Sequence, residues 1–178
     1  MSIFTDRMVR AARLDVNVYE EVEADQQATG QAMGVVVLAS LAAGIGNVAS
    51  TGVNGVVIGT IVALIGWYLW AFITYFVGTR LLPEPQTRAD YGELLRTIGF
   101  SSSPGILRIL AIIPGLATIV YLVCSVWMLV AMVIAVRQAL DYRSTLRAVG
   151  VCVIGWLIQL VLLWIVLSLT GGFSTTSA

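Results

Sequence analysis

Histidine and lysine are absent from the sequence, and charged residues are scarce. Only 11% of the 178 residues are charged and 58% are hydrophobic, whereas a soluble domain has about 25% charged residues. Without histidine, the chain lacks the commonest ligand for zinc, haem iron and chlorophyll-type magnesium, and the commonest general base at neutral pH. We therefore expect no cofactor of its own, only contacts with lipid. The composition predicts a membrane protein.

Residues that could carry chemistry are also few. The two cysteines, Cys124 and Cys152, lie in apolar runs, which predicts buried and inert thiols. Nucleophile–base pairs use histidine, or lysine beside serine, and the sequence offers neither. No glycine-rich phosphate loop follows a strand pattern. The sequence predicts a protein that is not an enzyme, with no catalytic or metal site and no nucleic-acid partner.

Long apolar segments make up most of the chain. Gly30–Ala49, Val53–Val77 and Leu146–Leu169 are each long enough to cross a membrane. The block Ile106–Leu140 would be roughly 50 Å long as one helix, which exceeds a hydrocarbon core of about 30 Å. The same block is too short for two spans unless the first span also includes the polar run before Pro104. We predict an all-α polytopic membrane protein with five membrane segments, the third short or broken; a re-entrant third segment is the alternative. The break is expected at a proline-containing site, either Ser101–Pro104 or Pro114.

The arginines indicate which side of the membrane each connection faces. They fall in three groups, Arg7–Arg13, Arg80–Arg108 and Arg137–Arg147, whereas the link Ser50–Asn54 has none. The positive-inside rule places all three groups in the cytoplasm, which requires five crossings. We expect a multi-pass protein of the cell inner membrane with a cytoplasmic N-terminus and an extracytoplasmic C-terminus. The residues expected to set the topology or to make cytoplasmic contacts are Arg80, Arg88, Glu93, Arg96, Arg108, Arg137, Arg143 and Arg147.

Three regions follow from this topology. Residues 1–29 are predicted to form a cytoplasmic or interfacial helical tail, residues 30–170 the transmembrane domain with a cytoplasmic connector at 80–104, and residues 171–178 a short extracytoplasmic tail. In the first tail, Ile3, Phe4 and Met8 lie at helical spacing. The sequence leaves open whether this helix lies in the headgroup layer or packs in water on the cytoplasmic loops.

Small residues spaced four apart predict how the first two membrane segments pack. Such residues let two helix backbones approach closely in lipid, and the short link Ser50–Asn54 requires an antiparallel hairpin. Self-association through the same residues is the less favoured alternative. The residues predicted to form this helix contact are Gly30, Gly34, Gly44, Gly55, Gly59 and Ala63.

Four stretches of sequence carry a resemblance to a known family. They are ATGQAMGVVVLASLAAGIG (28–46), GWYLWAFITYFVGTRL (66–81), YGELLRTIGFSSSPGILRIL (91–110) and WMLVAMVIAVRQALDYRSTLRAV (127–149). In these stretches the chain resembles the Yip family (Ypt-interacting-protein family, Yip-one domain), in its bacterial form. The resemblance implies five membrane segments and a cytoplasmic N-terminus. Eukaryotic members are tied to vesicle traffic and Rab-type GTPases, and the family offers no catalytic residues to carry over.

Two kinds of function remain after these exclusions. The first is a structural or accessory subunit, or a scaffold, in a larger and possibly energy-transducing membrane complex, acting through contacts with lipids and with other membrane protein subunits. The second is a small-solute or ion transporter, or a membrane-organising protein, that acts alone. Ionisable groups inside spans mark ion pathways, and the spans are nearly free of them, which favours the first.

Overall fold

The computed structural model describes residues 2–169, and all the regular secondary structure within them is helical. The predicted all-α fold is confirmed. The α-helices are α1 (Ile3–Ala12), α2 (Val16–Ala24), α3 (Ala28–Gly46), α4 (Val48–Phe76), α5 (Tyr91–Ser101), α6 (Ala117–Ala139) and α7 (Thr145–Leu169). A π-helical turn, Val77–Leu81, extends α4, and a 3₁₀ segment, Ser103–Ile112, follows α5.

The first two helices form an N-terminal arm, Ile3–Ala24. Ser2 caps α1 and Asp15 caps α2 through side-chain oxygens that accept backbone N–H groups, as N-cap residues commonly do. Leu14, with φ 63°, reverses the chain between the helices. The arm packs on the bundle through buried Val18 and Tyr19, so it rests on protein along this face.

Helices α3 and α4 form the predicted antiparallel hairpin, but the turn lies earlier than expected. The chain turns at Asn47, and α4 begins at Val48 with a kink at Gly52, whose φ of 66° suits glycine. Ser50–Asn54, which we predicted as the link, is therefore helical apart from that kink. Both helices are apolar on every side, which is typical of helices that face lipid.

The broken segment, Tyr91–Ile112, lies beside α3 along most of its length. Asp90 and Glu93 form a reciprocal capping box at its start, and the helix changes to 3₁₀ at Ser102. Its small residues contact α3 in the same order along both elements, so the two run parallel. The contacting pairs are Ala32 with Gly99, Ala39 with Gly105, and Gly46 with the backbone of Arg108.

This arrangement corrects the predicted extent of the connector. Residues 91–104 lie within the bundle, and Leu94–Ser101 are buried throughout, so the loop outside the helices is 82–90 rather than 80–104. Four helices (α3, α4 with its π-helical turn, α6 and α7) are long and apolar enough to cross a membrane. The broken segment, which we predicted as a further membrane segment, is interrupted at Ser102, inside the predicted site Ser101–Pro104.

The ends of α3 define the two sides of the bundle. We call the side of Ala28 proximal and the side of Gly46 distal. Helix α6 returns to the proximal side, because Tyr121 Oη donates to Ala43 O near the end of α3. Helix α7 then leaves the proximal side, since Gly150 lies against Leu82 and Gly155 against Trp70. The predicted tail 171–178 lies outside the described residues.

The predicted helix-packing residues have different surroundings. A Cβ on Gly44 would lie 2.8 Å from Val56 Cγ1, so α3 and α4 touch there. A Cβ on Gly34 would meet Phe4 of the arm, and one on Gly55 would meet Thr51 of its own helix. Nothing lies within 4 Å of a Cβ on Gly30 or Gly59, and Ala63 is half-buried. Of the five predicted glycines, only Gly44 therefore lies directly against the facing helix of the hairpin.

Candidate functional site

Charged side chains collect on the proximal side of the bundle. The stretches 28–79, 97–136 and 148–169 contain a single charged residue, Arg108. The other arginines and all ten carboxylates belong to the arm, the loop 82–90 and the ends of helices that meet there. A contact site for polar partners must therefore lie on the proximal side.

Two arginines hold the N-terminal arm together. Arg7 is buried and pairs with Glu21 and with Asp25, each at 2.8 Å. Arg10 pairs with Asp15 at 2.9 Å and with the second carboxylate oxygen of Glu21 at 2.6 Å. Hydrogen bonds from Arg7 and Arg10 hold the pKa of Glu21 below its ordinary value. Asp15, Glu21 and Asp25 are thus counterions of the arm's own arginines.

Arg96 of α5 fastens this arm to the bundle. Its guanidinium is buried, and its Nε donates to Val22 O at 2.9 Å, while Nη2 donates to Glu23 O. Both carbonyls belong to the last turn of α2, where unpaired acceptors and the helix dipole favour a cation. We predicted that Arg96 makes a cytoplasmic contact, but its guanidinium binds backbone carbonyls of its own chain.

A cleft of about 520 Å³ opens where α2, α5 and the α6–α7 junction meet. We call it the proximal cleft. Burial, together with the nearby carboxylates of Glu93, Asp141 and Glu20, raises the pKa of Glu23 to about 7. Gln138 Nε2 donates to Glu20 at 2.8 Å and joins two of the walls. The charged residues that line the cleft are Glu20, Glu23, Glu93, Arg137, Asp141 and Arg143.

A second cavity, of about 570 Å³, lies at the start of α7. Its centre is the Glu84 carboxylate, which accepts the backbone N–H of Arg143 at 3.2 Å and lies 3.5 Å from Arg147 Nε. Burial opposes ionisation of Glu84, but the backbone N–H groups of Arg143 and Ser144 and the charge of Arg147 outweigh it and lower its pKa. The carboxylate thus occupies the position that an external anion would take at this helix N-terminus.

The described residues do not assemble a reactive centre in either cavity. In the range 2–169 no three histidine, cysteine or acidic side chains are close enough to hold a metal ion. Cys124 and Cys152 are buried free thiols. The proximal cleft can form ion pairs and hydrogen bonds with a polar or charged surface.

The predicted arginines do not act as one group. Arg137 and Arg143 line the proximal cleft, Arg147 donates to Pro83 O at 2.9 Å, and Arg80 and Arg88 are exposed. Arg108, which we grouped with the connector, lies on the distal side against Gly46. That grouping is wrong because the broken segment carries the chain along α3 before Arg108 is reached.

Glu23, Asp141 and Tyr142 also line the proximal cleft, although no pattern in the sequence predicts that they meet there. Tyr142 Oη lies 2.9 Å from Gly78 O and 2.8 Å from Leu82 O, and Asp141 adopts a φ of 53°. The pair Asp141–Tyr142 directly follows the apolar block Ile106–Leu140 and matches no known motif. Only the tertiary fold brings it to α2 and α5.

Comparison with known proteins adds one finding to this geometry. A family model described as the Yip1 domain matches residues 16–167, which is most of the chain. The match covers α2 to α7 and therefore includes the proximal cleft. No curated protein and no solved structure matches the sequence.

Proposed function

The chain belongs to the Yip1 domain family, and on that premise we propose that this multi-pass integral membrane protein is a non-enzymatic accessory subunit or scaffold. It would bind other membrane protein subunits on its proximal side and lipids around its spans. The proximal side would face the cytoplasm, and the membrane would be the cell inner membrane.

The observation that carries this proposal is the mixed charge of the proximal cleft. Four carboxylates and two arginines line it, and they come from the arm, from α5 and from the α6–α7 junction. Interfaces gain specificity from such complementary charge patterns. A cleft without an assembled reactive centre, in a chain whose remaining surface is mostly apolar, suits recognition of a protein segment better than conversion of a substrate.

The apolar faces of the spans support the lipid part of the proposal. Side chains such as Ile61 and Ile65 on α4 and Trp156 and Trp164 on α7 are mostly exposed in the single chain. Contiguous apolar surface of this kind requires lipid or another membrane helix. Partners that reach the proximal cleft could also cover part of this surface.

Co-purification with charge-reversal variants tests the proposal. Glu20→Lys and Arg143→Glu change exposed side chains of the proximal cleft, and Arg88→Glu is the matched control in the loop. Native membranes are extracted in mild detergent, and partners that bind each variant are quantified by mass spectrometry. We expect a stoichiometric partner with the unmodified chain and the control, and its loss with both cleft variants. A monodisperse chain without any partner would refute the subunit assignment.

Transport is the second candidate, and one structural feature favours it. Discontinuous membrane helices form substrate sites in many transporters, and the broken segment is discontinuous at Ser102. Both cavities described above lie on the proximal side, however, where they would open to one compartment. Reconstituted vesicles that show ion or solute flux above empty vesicles would favour transport over the scaffold.

A further inference from the structure

Arg108 is the one charged residue in the stretches 28–79, 97–136 and 148–169, which make up most of the apolar bundle. It lies in the 3₁₀ segment on the distal side, where its backbone carbonyl packs on Gly46. Charged residues at such positions are costly, and they usually mark a functional contact.

The described residues supply no carboxylate to Arg108. The six ion pairs among residues 2–169 join residues of the arm to one another or to Asp25 beside it, or link Arg147 to Glu84. Arg108 Nη2 donates to Ser125 Oγ at 3.1 Å, and its Cζ lies 5.6 Å from the ring centre of Tyr121. Its Nε is buried without an acceptor in the described part of the chain. A guanidinium has five N–H groups, and among the described residues only Ser125 Oγ accepts from one of them.

The surroundings of Arg108 indicate the nature of the missing anion. Leu107, Leu110, Leu122 and Val126 near it are exposed apolar side chains, which would face lipid tails. Ser125 lies roughly 12 Å along α6 from its distal start, at about 1.5 Å per residue. From this depth an arginine side chain can reach the headgroup layer, where phosphate is the abundant anion.

We propose that Arg108, with Ser125 beside it, binds the phosphate group of an anionic phospholipid in the distal leaflet. The planar guanidinium can offer two parallel N–H groups to phosphate oxygens. Tyr121, whose hydroxyl donates to Ala43 O at 2.7 Å, places its ring within cation–π distance of the guanidinium. The site is separate from the proximal cleft and does not depend on the proposed partner.

Lipid retention by the full-length chain tests this site. The protein is delipidated in detergent and titrated with phosphatidylglycerol or with phosphatidylcholine of the same acyl chains, and bound lipids are counted by native mass spectrometry. We expect one phosphatidylglycerol to be retained preferentially, and Arg108→Gln to weaken that binding about tenfold, as loss of a charge-assisted contact does. Arg108→Lys keeps the positive charge but lacks the planar pair of N–H groups. Its affinity for phosphatidylglycerol should therefore lie between those of the unmodified chain and Arg108→Gln. Arg80→Gln, an exposed arginine on the proximal side, is the matched control and should bind as the unmodified chain does.

Several outcomes would overturn the proposal. One is equal retention of phosphatidylglycerol by Arg108→Gln and the control, and another is no preference for it over phosphatidylcholine. Inorganic phosphate that stabilises the unmodified chain as strongly as the lipid would assign the site to a soluble anion. A protein that co-purifies only when Arg108 is present, without bound lipid, would assign the counter-charge to a partner's carboxylate. If Arg108→Gln does not fold, the lipid titrations of the unmodified chain and Arg108→Lys still decide.

Discussion

Arg96 Nε donates to Val22 O at 2.9 Å, across 74 positions of sequence. This contact joins α5, in the bundle, to the last turn of α2, in the N-terminal arm. The guanidinium also bonds Glu23 O, so one buried side chain satisfies two carbonyls that the helix end leaves free.

Replacing Arg96 by methionine should loosen the N-terminal arm. The variant leaves two carbonyls without a donor, and hydrogen bonds to charged groups contribute about 1.5–3 kcal/mol. We expect faster amide hydrogen exchange in Ile3–Ala24 and little change in α7. Arg88→Met, in the loop before α5, is the control and should exchange as the unmodified chain does. If the amides of the arm exchange at the same rate in Arg96→Met, the ion pairs and apolar contacts of the arm are sufficient to keep it in place.

The pKa of Glu23 predicts that arm stability depends on pH. Because this pKa is about 7 in the folded chain and about 4.5 for an ordinary glutamate, the protonated form favours the docked arm. That stabilisation is fully present below about pH 4.5 and is lost as the pH rises through about 7. Glu93, Asp141 and Glu20 repel the ionised carboxylate, whereas Arg96 attracts it.

Glu23→Gln should therefore raise the melting temperature at pH 8 more than at pH 5. Glu23 is partly exposed, so we discount the effect for solvent screening to about 1 kcal/mol, or about 2–4 °C. Glu21→Gln is a control of opposite sign, since the pKa of Glu21 is lowered by Arg7 and Arg10. Loss of the Glu21 carboxylate should destabilise the arm at both pH values. If Glu23→Gln changes the melting temperature equally at pH 5 and pH 8, the raised pKa of Glu23 is contradicted.

Much of the architecture could be predicted from local signals. Apolar runs of sufficient length predicted the long apolar helices. Of the two proposed break sites, Ser101–Pro104 contains the change to 3₁₀ at Ser102, whereas Pro114 lies in the turn before α6. Arg96 was misplaced because its charge indicates solvent, whereas its burial depends on carbonyls of α2 that are distant in sequence. Arg108 was misplaced because a count of arginines cannot show that a broken helix has already carried the chain to the other side.

The small-residue pattern predicted too many contacts, and this leads to a matched pair of variants. A Cβ on Gly44 would lie 2.8 Å from Val56 Cγ1 and 3.1 Å from Val56 Cα, whereas one on Gly59 would meet nothing within 4 Å. Gly44→Ala should cost about 1–3 kcal/mol through overpacking. Gly59→Ala should stabilise by up to about 1 kcal/mol, because alanine is the better helix former. Thermal melting in detergent measures both.

If Gly59→Ala lowers the stability of a purified complex but not of the isolated chain, Gly59 contacts a partner helix. If it lowers the stability of the isolated chain as much as Gly44→Ala does, α3 and α4 pack more extensively than the contact at Val56 indicates. The glycine spacing would then have been the better guide to the hairpin.

Tyr142 is expected to fix the loop between the membrane helices α6 and α7. It is buried, and its hydroxyl lies within hydrogen-bond distance of Gly78 O and Leu82 O. These carbonyls belong to the π-helical turn and to the residue after it, where the helix ladder no longer supplies donors. Burial raises the pKa of Tyr142 to about 12, so the hydroxyl stays protonated and able to donate at neutral pH.

Tyr142→Phe removes this donor and leaves a buried carbonyl without a partner. Such a loss costs about 1–3 kcal/mol, so we expect a lower melting temperature and faster amide exchange in residues 78–84 and 141–147. Tyr68→Phe, which changes an exposed tyrosine on α4, is the matched control and should melt as the unmodified chain does. If Tyr142→Phe melts like this control, the packing of Leu140 on Gly78 is sufficient to hold the loop. The position of Asp141 and Arg143 in the proximal cleft would then depend on that apolar contact, and Leu140→Ala would be the variant that disrupts it.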